Sequence, residues 1–330
     1  MAIKNIGSRT LFEAAIPATK GYDKLLSTVN EKVNWEPIRE LLDKSYSKGK
    51  SDRGRPAYPP ILLFKAILIQ TFNSLSDVQL EKKLNNDLSY MNFCGFSFYE
   101  PAPDHSIISR FKSELAKKNI FDKLLAIINN QLEEEGIIVK TGTIIDGSFT
   151  HSQRTKNKKK AVESPPSSQK DLEADWVKKG NKYFHGYKRH YATDHIHGLV
   201  LSVSTSPASV HDTHYFDELL DKLDLEEESI VCADKGYSSK KNEDSLKKRN
   251  LLNCIQKKAK RNHPLTKEEH SDNASISRTF RYKVERVFGS IKRWFNGHTC
   301  RYVGQVRTHG QHVLEAIAYN LYRYASLGNN

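Results

Sequence analysis

The sequence predicts an α/β fold in which a small all-helical domain precedes a mixed sheet flanked by helices. Three observations carry that expectation. Up to Gly136 apolar residues recur at helical spacing, and beyond it they come in strand-like runs separated by helix-length segments. The change of period falls on Glu133-Glu134-Glu135-Gly136, where the glycine suits a helix stop. With 330 residues the chain is also long enough for two domains. The expected division is a helical domain over 1–136 and a sheet domain over 137–330.

In the first part, Pro59-Pro60 opens an apolar helix through Ile61, Leu62, Phe64, Ile67 and Leu68, since proline suits a first helical turn. Ser76 is placed to cap Val78 to Leu84, with Asp77 favourable in the first turn. Asp104 is placed to cap the next helix, whose Ile107, Ile108, Phe111 and Leu115 share a face. Phe121 to Leu132 then repeats the period. Short helices joined by polar turns suit DNA-end binding and dimerisation equally, and no helix-turn-helix can be assigned.

In the second part, Ile137 to Asp146, Lys182 to Asp194 and Leu199 to Thr205 read as strands. His211 to Leu223 reads as a helix and Ser229 to Asp234 as a short buried strand. Ser238 or Ser239 caps a helix to Arg249, and Leu251 to Ile255 is a further strand. Helices are expected from about Ser277 to Phe295 and from Gln311 to Tyr324. Two basic segments, near 152–181 and 257–276, read as flexible. The first holds Arg154, Lys156, Lys158, Lys159, Lys160 and Ser164-Pro165-Pro166-Ser167-Ser168; the second holds Lys257, Lys258, Lys260 and Arg261. They are either solvated loops or DNA-contacting arms.

The net charge of +13 and pI near 9.3 point to a polyanionic partner, because lysine and arginine release counterions from phosphates. Cys94, Cys232, Cys254 and Cys300 form no Cys-x-x-Cys pair and read as buried thiols in a reducing compartment. The longest apolar stretch, Ile61 to Phe72, is interrupted by Lys65 and Gln70 and is too short to span a bilayer. The expectation is a soluble cytoplasmic protein without a membrane partner.

Three acids carry the chemical reading. Asp146 follows the apolar run Thr143-Ile144-Ile145, and Asp234 follows Ile230-Val231-Cys232-Ala233. Acids at strand ends lie at the carboxyl edge of a sheet, where open α/β sheets carry ligands. Each alone is equally a turn residue before Gly147 or Lys235-Gly236. Glu285 lies in a helix whose Phe280, Val284, Val287, Phe288, Ile291 and Phe295 share one face. Between 281 and 307 it is the only acid, among Arg281, Lys283, Arg286, Lys292, Arg293, Arg301 and Arg307. Arg281, Glu285 and Lys292 fall on one stripe. That stripe is either a surface ion pair or a metal ligand flanked by phosphate contacts. Trp294 is placed either to stack on a base or to pack beside Phe295.

Asp146-Gly147, Asp234-Lys235-Gly236-Tyr237 and Arg281-x3-Glu285-x6-Lys292 resemble the DDE transposases of bacterial insertion sequences, in the group that includes the fifth insertion-sequence family. The resemblance extends to the Pro59-Pro60 helix. It departs at one position, where Arg278 replaces the tyrosine of the family's Tyr-x2-Arg-x3-Glu-x6-Lys signature. The resemblance implies a ribonuclease-H-like catalytic domain and two magnesium ions, for which manganese can substitute. Asp146 would bridge both ions, and Asp234 and Glu285 would complete one each, a set that suits magnesium's preference for few carboxylate oxygens. It also implies cleavage and strand transfer at terminal inverted repeats, by a homodimer acting on nucleoid DNA. Arg281, Lys292, Arg286, Arg293 and Lys235 would contact DNA. His211-Asp212, after Ser206-Pro207-Ala208, is either a motif of the same group or a helix-capping pair. A metal-dependent nuclease without strand transfer and a non-catalytic DNA-binding descendant remain the alternatives.

Overall fold

The structure is a computed structural model that describes residues 24–48, 56–97, 99–154, 170–259 and 263–327. The chain divides into two compact units, Met1–Gln131 with Asn320–Asn330, and Leu132–Tyr319.

The first unit is helical, with α1 (Lys24–Lys32), α2 (Glu36–Ser45), α3 (Pro60–Phe72), α4 (Asp77–Asn86), α5 (Leu88–Cys94), α6 (His105–Lys117) and α7 (Ile120–Glu134). Helix α3 is its centre, with Leu63, Phe64, Ile67, Leu68 and Ile69 all inaccessible to solvent. Ser76 caps α4 in a reciprocal box with Gln79, and Asp104 caps α6 by accepting from the Ile107 N–H at 2.9 Å. The buried ammonium of Lys112 is held by Gln70 Oε1 at 2.9 Å and by the Asp77 carboxylate, so its charge is compensated. After α7 the chain turns at Gly136, whose φ of 70° lies in the left-handed region, and Ile137 N–H closes on the Leu132 carbonyl at 2.8 Å.

The second unit is built on a mixed sheet of β1 (Gly142–Ser152), β2 (Asp175–Lys179), β3 (Lys182–Asp194), β4 (Val200–Pro207), β5 (Ile230–Ala233), β6 (Leu252–Ile255) and β7 (Thr299–Cys300). Strand β3 pairs antiparallel with β1 and β4, while β1, β5 and β6 run parallel. The order β4-β3-β1-β5-β6 is that of the ribonuclease-H-like fold. Beside it are α8 (Phe216–Leu220), α9 (Lys240–Lys248), α10 (Lys267–Ile276), α11 (Tyr282–Trp294) and α12 (Gln305–Leu327). One face of the sheet packs Ile145, Ala192, Val231 and Ala233 against Phe216, Leu219 and Leu246 of α8 and α9. The other face takes Val284, Val287, Phe288 and Ile291 of α11, with Phe288 stacked on Tyr191 at 5.2 Å.

Several boundaries differ from expectation, each for a physical reason. Strand β1 starts later than Ile137 and runs on through Asp146 to Ser152, because β3 continues the ladder to His151↔Gly186. The segments expected to be flexible contain β2, paired along the start of β3, and α10, capped by a Thr266–Glu269 box. Neither shows an apolar period, because backbone pairing holds β2 and polar bonds hold α10, which buries no residue. Lys156, Lys158, Lys159, Lys160, the Ser164–Ser168 run, Lys260 and Arg261 lie outside the described residues. The helix expected over His211 to Leu223 is a 3-10 turn, Asp212–Tyr215, followed by the short α8. The last helix, α12, begins earlier than Gln311.

Candidate active site

The parallel register of β1 and β5 ends at Ile145↔Ala233, and the next residue on each strand is an aspartate, Asp146 and Asp234. Asp146 faces Tyr191 across the ladder, so strand alternation puts it on the side that α11 covers. Each carboxylate accepts from the N–H that follows it, Gly147 at 2.7 Å and Lys235 at 2.6 Å. Gly147 leaves room behind Asp146: a Cβ there would lie 3.2 Å from His190 Nδ1 and 3.3 Å from Tyr237 Oη.

The third acid comes from the helix. Between α10 and α11 the chain makes a π-turn, Ser277–Arg281, so the two helices form one rod with an extra residue wound in. That turn takes Phe280 off the fully buried face on which a regular helix would place it. Arg281 is the last residue of the turn, and Glu285 is in the first turn of α11 with 59% of its side chain exposed.

The three acids meet at Arg281. Its guanidinium lies 3.6 Å from Asp146 Oδ2, 3.9 Å from Asp234 Oδ1 and 3.2 Å from Glu285 Oε1. Three carboxylates around one guanidinium leave an excess of two negative charges when all are ionised. Burial raises the Asp146 pKa to about 6, and Asp234 and Glu285 push the same way. The Gly147 N–H and Arg281 oppose them. Arg281 Nε is buried without a hydrogen-bond partner. Among the described residues no three His, Cys, Asp or Glu side chains stand close enough to hold a metal ion, since these acids turn toward the guanidinium.

The other expected site residues are distributed around this centre. Lys235 is exposed beside Asp234. Lys292 has a lowered pKa, through burial first and then Arg189 and Lys179, with Asp146 opposing. It lies on the Asp146 side of α11, and Glu285 pairs with Arg281 instead. Arg286 points away, toward the His197 carbonyl at 3.5 Å, and Arg293 is exposed in the last turn of α11. Trp294 stacks on Tyr319 with ring centroids 6.5 Å apart and meets Phe295 edge-on. His211 caps the 3-10 turn through Nδ1. Asp212, in the first turn, caps nothing: it pairs with Lys188 at 2.8 Å, and its Oδ2 would meet a Cβ on Gly236 at 3.7 Å.

Sequence reasoning missed the floor behind Asp146. His190 is neutral there, its pKa pulled down to about 4 chiefly by burial. Its Nδ1 lies 3.1 Å from Tyr237 Oη, its Nε2 lies 2.9 Å from Ser206 Oγ, and its ring stacks on Tyr215 at 4.9 Å. Lys188 shares that face of β3, so strand alternation within Lys182–Asp194 was the available signal.

Comparison with known proteins gives one family. The family described as the transposase DDE domain matches residues 138–321, and a further transposase domain matches residues 12–114. The transposase for insertion sequence element IS1106 from Neisseria meningitidis serogroup B is 33% identical over 227 residues, covering 66% of this chain and 77% of that protein. Among solved structures, the piggyBac transposase synaptic complex with hairpin DNA aligns at a TM-score of 0.45 and 12% identity, over 94% of this chain and 77% of that one. The Mos1 transposase paired-end complex with the left transposon end aligns at 0.23 and 12% identity, over 95% and 94%.

Proposed function

This chain belongs to the DDE-domain transposases of bacterial insertion sequences, enzymes that cut and join DNA, and we propose how it does so. It binds the terminal inverted repeats of its own element, cleaves at the element ends and joins the freed 3′ hydroxyl to target DNA. Asp146, Asp234 and Glu285 are its catalytic and metal-holding residues. The observation that carries this reading is the convergence of these three acids on Arg281 from two adjacent strands and one helix.

The donor set fits a pair of magnesium ions, with manganese as a substitute. It offers carboxylate oxygens only, and its excess of two negative charges calls for added cations. When bound, such ions act as Lewis acids at the scissile phosphate and lower the pKa of water or a 3′ hydroxyl. The chain's own residues do the rest. Asp146 is held by the Gly147 N–H through one oxygen and presents the other to the substrate side. Arg281 compensates the three acids, and it would be free to contact a backbone phosphate if cations were held there. Lys292 and Lys235 hold phosphates on either side of the carboxylates, Arg293 extends that contact along α11, and Arg286, directed to the His197 carbonyl, would meet DNA away from the carboxylates. The helical unit binds DNA ends or brings two protomers together, and the working form is a homodimer on DNA in the bacterial cytoplasm.

The test uses purified protein with DNA carrying the element ends. Magnesium-dependent nicking is expected, and Glu285→Ala abolishes it. Retained cleavage in that variant would falsify the role of Glu285. Pre-cut ends offered with a target plasmid separate a transposase, which joins them, from a nuclease, which does not. Binding without any magnesium-dependent chemistry would mark a non-catalytic descendant.

A further inference from the structure

On the Asp234 and Arg281 side of the carboxylates, a groove of about 540 Å³ opens between α10 and the segment that follows β6. Polar clamps hold it open. Asn273 of α10 donates to the Lys257 carbonyl at 3.0 Å and accepts from the Lys257 N–H at 2.9 Å. Gln256 donates to the Asn273 carbonyl at 2.9 Å and to Ser277 Oγ at 2.7 Å. These bonds fix a helix with no buried residue at a set distance from the strand end. The lining is of two kinds. Lys235 and Lys258 bring positive charge, beside Lys257, which pairs with Glu269 at 3.4 Å, and Arg281, which the three acids already surround. Ala259, Leu265 and Ala274 add an apolar wall.

We propose that this groove takes one unpaired nucleotide of the DNA strand being cut or joined, its base on the apolar wall and its phosphates on Lys257 and Lys258. The groove's volume, about 540 Å³, is that of a small-molecule pocket and too small for a duplex. The cations disfavour a basic ligand. A free phosphate ion would leave the wall formed by Ala259, Leu265 and Ala274 without a function. Single-stranded sites pair cations on the backbone with a surface for the base, and here that surface is aliphatic. The groove meets the carboxylates at Asp234 and Arg281, so a strand leaving the reaction centre enters it directly. The proposal rests on the transposase reading for the origin of that strand, though not for the binding itself.

The test compares a fluorescent short oligothymidylate, the same oligomer with abasic sites, and a blunt duplex, in magnesium-free buffer. Ala274 and Lys258 are exposed, so Ala274→Leu and Lys258→Gln leave the core untouched. Each variant weakens oligothymidylate binding about tenfold and leaves the duplex within about twofold. Ala274→Leu has no effect on the abasic oligomer, and a 5-iodouracil in the oligomer photocrosslinks between Lys257 and Ser277. The proposal is overturned if duplex affinity falls as far as oligothymidylate affinity, if neither falls, if the abasic oligomer is weakened equally by Ala274→Leu, or if crosslinks lie only elsewhere. Cleavage of element ends by the wild type, scored separately, decides the transposase reading. A non-cleaving protein that keeps the oligothymidylate contrast retains the groove and loses the reading.

Discussion

Arg189 and Arg281 meet carboxylates on the same face of the sheet, and they are held in opposite ways. Arg189 is wholly buried and faces one acid, Glu315, at 2.6 Å. Its remaining N–H groups go to Thr150 Oγ1 at 2.9 and 3.0 Å and to the Gly297 carbonyl, so β3, β1 and α12 close on it. Arg281 faces three acids, none closer than 3.2 Å, and leaves a buried N–H without a partner. A buried ion pair is tolerated when its charge is balanced and its donors are used. The first site meets both conditions and holds the fold. The second meets neither, and such local inconsistency is where function is expected.

The largest way to break this contrast is Glu315→Gln, which keeps the shape but leaves Arg189 without its counter-charge. The expected loss is about 3–5 kcal/mol in urea unfolding. A loss below about 1 kcal/mol would show that Arg189 is not the closed centre described.

A smaller effect of opposite sign is expected at Asp146. The Asn of Asp146→Asn still accepts from the Gly147 N–H and removes one of the crowded charges. The native pKa of about 6 is raised from 3.8, so the stabilisation it represents is complete below 3.8 and lost as the pH rises through 6. In magnesium-free buffer at slightly alkaline pH the variant is therefore more stable than the wild type, by about 1–2 kcal/mol. Near pH 4 the gain is absent, and magnesium stabilises the wild type more than the variant. Thermal unfolding at the two pH values measures this, and an equal gain at both would refute the crowding.

The smallest effect on stability is expected from Glu285→Gln. Its side chain is largely exposed, so the pair with Arg281 contributes little and unfolding stability stays within about 0.5 kcal/mol. Cleavage of element ends is nevertheless lost. A large destabilisation with activity intact would turn Glu285 into a structural residue.

Much of the fold was legible because its signals are local. Ser76 and Asp104 cap the helices expected of them, Ser239 rather than Ser238 caps α9, and Lys182–Asp194 is the strand its alternation suggests. Helix α10 was not legible, because polar clamps at Gln256 and Asn273 hold it and no apolar period marks it. The π-turn was hidden too, since the apolar spacing from Phe280 to Phe295 reads as one regular helix. At the site, the three acids stood out by their settings. Arg281 stood out too, on its stripe with Glu285 and Lys292, but its place beside Asp146 and Asp234, and the Lys188–Asp212 pair beside Gly236, did not, because each joins residues far apart in the chain.

The sequence by itself determined the α/β class, the helical first part, the basic charge and the family, because periodicity, caps and short motifs are properties of neighbouring residues. Only the tertiary structure decided that Asp146 and Asp234 occupy one register step, that Arg281 stands among all three acids, and that a cationic groove opens beside them. Strand register and the winding of one extra helical residue are set by packing across the sheet, and no local run of residues encodes them.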